Sequence, residues 1–171
     1  MAAVVAAGGC SADEPSAAAR PAVDRGSIAG VQEFGDLSRD HVENAVAYRP
    51  VPPVGGQHGP VLQNCGFYST PVQNEYAVHS LEHGAVWITY ATDLPARQVE
   101  ILKTWSGSGS HVLVSPYNGL PSPVVASAWG LQLRLSGADD ERLGKFVAAY
   151  AQGPQTPEPG APCRGGAGVP R

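Results

Sequence analysis

Gly84 divides residues 74–90, NEYAVHSLEHGAVWITY, into two pieces that cannot share one conformation. Ahead of it, Asn74 is placed to cap a short helix running from Glu75 to His83. Gly84 then supplies the left-handed residue that commonly ends a helix. Directly after it, AVWITY has the composition of a buried strand. Helix and sheet therefore meet at one residue, and the junction holds two of the chain's five histidines with a carboxylate between them. His79 and His83 share a face on a helix and also on a strand, because both periodicities bring residues four apart together. Glu82 joins that face only on a helix.

The second half continues in the same grammar. Residues 94–105 predict an amphipathic helix, with Val99, Ile101 and Leu102 toward a core and Arg97, Glu100 and Lys103 toward water. After the flexible GSGS, residues 111–115 predict a strand. Residues 121–128 and 131–135 predict two more, meeting at Trp129-Gly130. Residues 139–151 close the series as a helix with an acidic start and an apolar face of Leu143, Phe146, Val147 and Tyr150. The expected architecture is α+β: a single domain, a mixed β-sheet with two main helices packed on it, and a loop-rich N-terminal half.

That N-terminal half begins with a strand around Val31 and Phe34. Residues 41–48, HVENAVAY, fit an extended segment, although Ser38 and Asp40 could also open a short helix. PVPPVGGQHGP then makes a stiff turn that presents His58, since proline fixes φ and the glycines bend where side chains would clash. At the far end, residues 153–171 have the Pro/Gly-rich composition of a disordered-type tail.

Residues 1–10, MAAVVAAGGC, resemble the end of a bacterial secretory signal with a lipobox, in which Cys10 becomes the lipidated residue. Ala7 stands where such a signal usually has Leu, and no basic segment precedes it. Residues 11–28 read as a flexible tether, which leaves 29–152 as the globular domain. The localisation expected is extracytoplasmic, with contact to the membrane only through the lipid on Cys10. A net charge of -4 gives no basic footprint for nucleic acid.

The chain has three cysteines. With Cys10 reserved for lipid, Cys65 and Cys163 remain as a candidate disulfide that would tie the tail to the domain. The competing readings are Cys65 as a metal-binding thiolate and two unrelated free thiols. The chain contains no CxxC, so nothing supports a thioredoxin-type redox site.

Chemistry centres on His58, His79, His83 and Glu82 as candidate metal ligands, with His41 and Cys65 as further additions. Neutral imidazoles bind copper and zinc, and two of them at i and i+4 supply half of a tetrahedral site. Met1 is the only methionine, which argues against a thioether-rich copper(I) carrier. The letters His79-x-x-Glu82-His83 also spell the H-x-x-E-H motif of inverted zinc peptidases, which need a distant Glu as well. The downstream acidic group Asp139, Asp140 and Glu141 is better explained as a helix start. A metal-free domain, with the same residues forming a hydrogen-bond network, is the main rival, and a small metalloenzyme stands behind it.

Four blocks resemble the bacterial proteins of domain of unknown function 3105: Tyr48 with PPVGGQH, NCGFY at Cys65, VHSLEHGAVWITY, and SPYNGLPSPVVASAWG at residues 115–130. The similarity spans roughly residues 31–150. Family members commonly read P-P-x-S-G-P-H and H-N-L-E-H-G-G-V, so this chain departs at Gly55, Gln57, Ser80 and Ala85 and keeps the histidines, Glu82 and Gly84. The resemblance implies an exported bacterial domain and adds weight to the His/Glu set without naming a reaction.

Overall fold

A computed structural model describes residues 28–171. The leader, Cys10 and nearly all of the expected tether lie outside the described residues. The elements run β1 (Val31–Glu33), β2 (Gly66–Phe67), α1 (Asn74–Glu82), β3 (Val86–Ala91), α2 (Ala96–Lys103), a 3-10 turn (Thr104–Ser106), β4 (Val112–Tyr117), β5 (Val124–Ala128), β6 (Leu131–Leu135) and α3 (Arg142–Tyr150). The six strands form one sheet in the order β1-β6-β5-β3-β4-β2. Pairing is parallel for β3 with β4 and for β4 with β2, and antiparallel elsewhere, so the sheet is mixed as expected.

Period-two alternation along the central strands makes two cores. Val86, Ile88 and Tyr90 of β3 and Val112 and Val114 of β4 face Leu102 of α2 and Leu143 and Phe146 of α3. Trp87 and Leu113, between them in sequence, point to the opposite face and meet Ala77, Val78 and Leu81 of α1. The sheet is therefore covered by α2 and α3 on one side, and by α1 with the N-terminal loops on the other. Leu81, Trp87 and Leu113 are fully buried, and each side chain of this size contributes roughly 1.5–3 kcal/mol on leaving water.

Three sequence expectations shift. Asn74 is the first residue of α1 and not its cap; Gln73 holds the cap position and makes no side-chain capping bond. Residues 41–48 form neither helix nor strand beyond an isolated bridge from His41 to His58. Their irregular path is held by the Val46 amide on Glu75 Oε1 at 3.0 Å and the Tyr48 hydroxyl on the Gln57 carbonyl at 2.8 Å. The third shift is the largest. Residues 153–171, expected to be a disordered-type tail, wrap back over the α1 side with many backbone bonds to the body. The Glu158 amide reaches the Glu82 carbonyl at 3.1 Å, the Ala167 amide reaches Leu62 at 2.8 Å and the Arg171 amide reaches Phe67 at 2.9 Å. Composition misled because this segment is ordered by partners elsewhere in the chain rather than by a hydrophobic face of its own.

Cys65 and Cys163 are joined by a disulfide. Cys65 therefore carries no thiolate for a metal. Disulfides persist in oxidising compartments, and this one points to an extracytoplasmic setting. Among the described residues, no helix is long and apolar enough to cross a membrane.

Candidate metal centre

His58 reaches the centre from the proline-rich turn, which is docked on the β5–β6 hairpin. The Gly130 amide donates to the Val54 carbonyl at 2.8 Å, and the Gln132 carboxamide to the Pro52 carbonyl at 2.9 Å. Gly55, at φ +148, lies so close to Trp129 that a Cβ there would sit 3.2 Å from its ring. Glycine is thus needed for the turn to reach its seat. The segment after His58 is pinned to α1 by the Ser80 hydroxyl on the Gln63 carbonyl at 2.6 Å and by the Gln63 amide on the Tyr76 carbonyl at 3.0 Å.

The helix places His79, Glu82 and His83 around its last turn, and the four sequence candidates gather in one cluster. His58 is completely buried, while Glu82 and His79 keep 3% and 8% of their surface. His58 Nε2 lies 2.9 Å from Glu82 Oε2. His79 Nε2 lies 3.1 Å from His83 Nε2. His41 arrives on the bridge to His58, its ring stacked on His79 at 4.9 Å between centroids and its Nε2 3.7 Å from Glu82 Oε2. His41, His58 and His79 offer ligand atoms that all lie within 4.8 Å of one another.

The other nitrogen of each ring decides what these contacts are. His58 Nδ1 faces the Gly56 carbonyl at 2.8 Å, His79 Nδ1 the Gly59 carbonyl at 2.7 Å and His83 Nδ1 the Pro162 carbonyl at 2.8 Å. A carbonyl oxygen only accepts, so each Nδ1 carries a proton and donates it. In a neutral ring, Nε2 is then an acceptor. His58 Nε2 consequently faces an acceptor carboxylate, and His79 Nε2 faces the acceptor nitrogen of His83. Each contact needs a cation between its two atoms, either a proton or a metal ion. Imidazoles whose Nδ1–H is fixed by a carbonyl and whose Nε2 points inward are the arrangement that metal-binding histidines adopt. Burial pushes the His79 imidazole below its ordinary value of 6.5, against the pull of the Gly59 carbonyl, and the nearby His83, His58 and His41 add to the lowering. That favours the neutral, lone-pair-bearing form.

The sequence left Glu158 unnoticed. Its Oε2 lies 3.3 Å from His83 Nε2, carried there by the C-terminal segment. The acidic group at residues 139–141 lies elsewhere in use: Asp140 accepts from Arg142 Nη2 at 2.6 Å and Nε at 2.9 Å.

The family model described as Protein of unknown function (DUF3105) matches residues 41–165. The chain belongs to this family. No curated protein and no solved structure matches it. The DUF3105 match runs from His41 to just past Cys163, so it contains every residue of the cluster and both cysteines of the disulfide.

Proposed function

We propose that this DUF3105 protein is an extracytoplasmic metal-binding domain that holds copper or zinc in its histidine cluster, tethered to the membrane through lipidated Cys10. The observation that carries the metal reading is the pair of acceptor-to-acceptor contacts, His58 Nε2 with Glu82 Oε2 at 2.9 Å and His79 Nε2 with His83 Nε2 at 3.1 Å. Nitrogens and oxygens bound to one zinc at about 2.0–2.1 Å stand about 3.3–3.4 Å apart in tetrahedral geometry. The observed separations are shorter than that spacing by about 0.2–0.5 Å, so an ion would open each contact slightly. Imidazole and carboxylate together suit zinc and copper(II) better than softer copper(I). The disulfide fits the exported setting, and the lipobox-like residues before Cys10 suggest the anchor.

The direct test is the metal content of the full chain purified after export, with melting curves in the presence and absence of chelator. The expected result is bound zinc or copper, reduced in His79→Ala, and a melting temperature that falls in EDTA. A metal content that His79→Ala leaves unchanged would remove the proposal. The anchor is tested separately: Cys10→Ser should move the protein from the membrane fraction to the medium.

One observation favours a second reading. His58 and Glu82 are both buried, and a proton between them would make a satisfied ion pair inside a metal-free network. Under that reading the melting temperature does not respond to EDTA or to added metal.

A further inference from the structure

The cluster can be partitioned into two sets of the same composition, with the ligand atoms of His79 also within 4.8 Å of those of His41 and His58. One is His41, His58 and Glu82, in which Glu82 Oε2 lies 2.9 Å from His58 Nε2 and 3.7 Å from His41 Nε2. The other is His79, His83 and Glu158, in which His83 Nε2 lies 3.1 Å from His79 Nε2 and 3.3 Å from Glu158 Oε2. Each is two imidazoles and one carboxylate, and each has separations that bracket or approach the roughly 3.3–3.4 Å of donor atoms around a single tetrahedral ion. No atom has to serve both sets. Each set contains one contact between two acceptor atoms, and the Nδ1 atoms of the rings in those contacts are committed to backbone carbonyls, so each set has a place for one cation, a proton or a metal ion.

We infer that the centre is dinuclear, with one metal ion on His41, His58 and Glu82 and a second on His79, His83 and Glu158. This rests on the metal-binding reading above and extends it. The two sets differ in origin. The first joins the N-terminal loops to α1, and the second joins α1 and its C-cap His83 to the C-terminal segment through Glu158. Each set supplies three ligands and leaves a fourth position for solvent or a small anion, the open arrangement of metal sites that bind or activate exogenous ligands. Two such positions around neighbouring ions would suit an oxyanion bridging the pair, as in two-metal sites generally.

The two sets can be emptied independently through their more exposed members. Half of the His41 side chain is exposed, 48%, and Glu158 keeps 54%, so replacing either should leave the fold intact. The experiment is native mass spectrometry of the full exported chain loaded with zinc(II), with melting curves in EDTA as the check on folding. The expected counts are two zinc ions in the parent, one in His41→Ala, one in Glu158→Ala and none in the double variant. Loaded with copper(II), the parent should show the dipolar broadening of a close pair by electron paramagnetic resonance, and each single variant an isolated copper signal. One zinc in the parent, retained in Glu158→Ala, would overturn the second position while leaving the metal-binding function standing. No zinc in the parent would overturn both.

Discussion

His83 donates its Nδ1–H to the carbonyl of Pro162 at 2.8 Å, one residue before the cysteine that closes the disulfide. The covalent link and the orientation of an imidazole in the cluster are thus set by adjacent peptide units. Replacing Cys65 and Cys163 with Ser should remove the constraint on a 98-residue separation, which the loop-entropy relation puts at about 4–5 kcal/mol. It should also weaken zinc binding about 10–100-fold, the usual effect of losing the partner that orients a ligand. Calorimetric titration beside a denaturation curve checks both. A lowered stability with an unchanged affinity would show that the ring is held by something other than Pro162.

Gly84, which ends α1, has φ +87, and a Cβ there would meet Thr156 at 3.0 Å and press on Gln152, whose carboxamide donates to the His83 carbonyl. Gly84→Ala should cost about 1–2 kcal/mol in backbone strain before the displaced contacts are counted. Gly107 is the control, with φ -59 and nothing within 4 Å of its Cβ position. Gly107→Ala should be neutral or should stabilise by about 0.4–1 kcal/mol. Urea midpoints of the two variants should move in opposite directions or differ clearly in size.

Trp87 donates its indole N–H to the Ser115 hydroxyl at 3.0 Å, and both residues are fully buried. Ser115→Ala leaves that N–H without a partner, at a cost of about 1–3 kcal/mol. In the Trp87→Phe background the same change should cost much less. A double-mutant cycle by chemical denaturation measures the difference, and additive effects would mean that the bond contributes little.

Asp140 carries the clearest acid dependence. Its hydrogen bonds from the Arg142 guanidinium hold the carboxyl well below the usual carboxylate range. A carboxyl with a lower pKa folded than unfolded contributes stability that is complete above its unfolded value, about 4, and is lost as pH falls through the folded value. The stability of the parent should therefore decline below about pH 4 more steeply than that of Asp140→Asn. Urea midpoints between about pH 2 and 6 provide the comparison.

Local rules reached a large part of this molecule. The run from β3 to α3 could be read because each element carries its own period, and β5 and β6 meet at Trp129-Gly130 as their spacing implies. The pairing of His79 with His83 was legible for the same reason, since four residues along a helix is a local distance. His41 entered the cluster through a backbone bridge to His58, and such pairing between irregular segments leaves no periodic trace. Glu158 was hidden further still. It stands in a segment without apolar periodicity, and only the Glu158 amide on the Glu82 carbonyl and the disulfide at Cys163 bring its carboxylate to His83.

The disulfide makes residues 65–163 a covalent ring, and the six cluster residues fall on both sides of it. His79, Glu82, His83 and Glu158 belong to the ring, whereas His41 and His58 belong to the arm that precedes Cys65. The arm is docked by non-covalent contacts alone, with Val54 and His58 buried and β1 paired to β6. An ion shared by His41, His58 and Glu82 would add a removable latch across that seam, on a chain whose other seam is permanent.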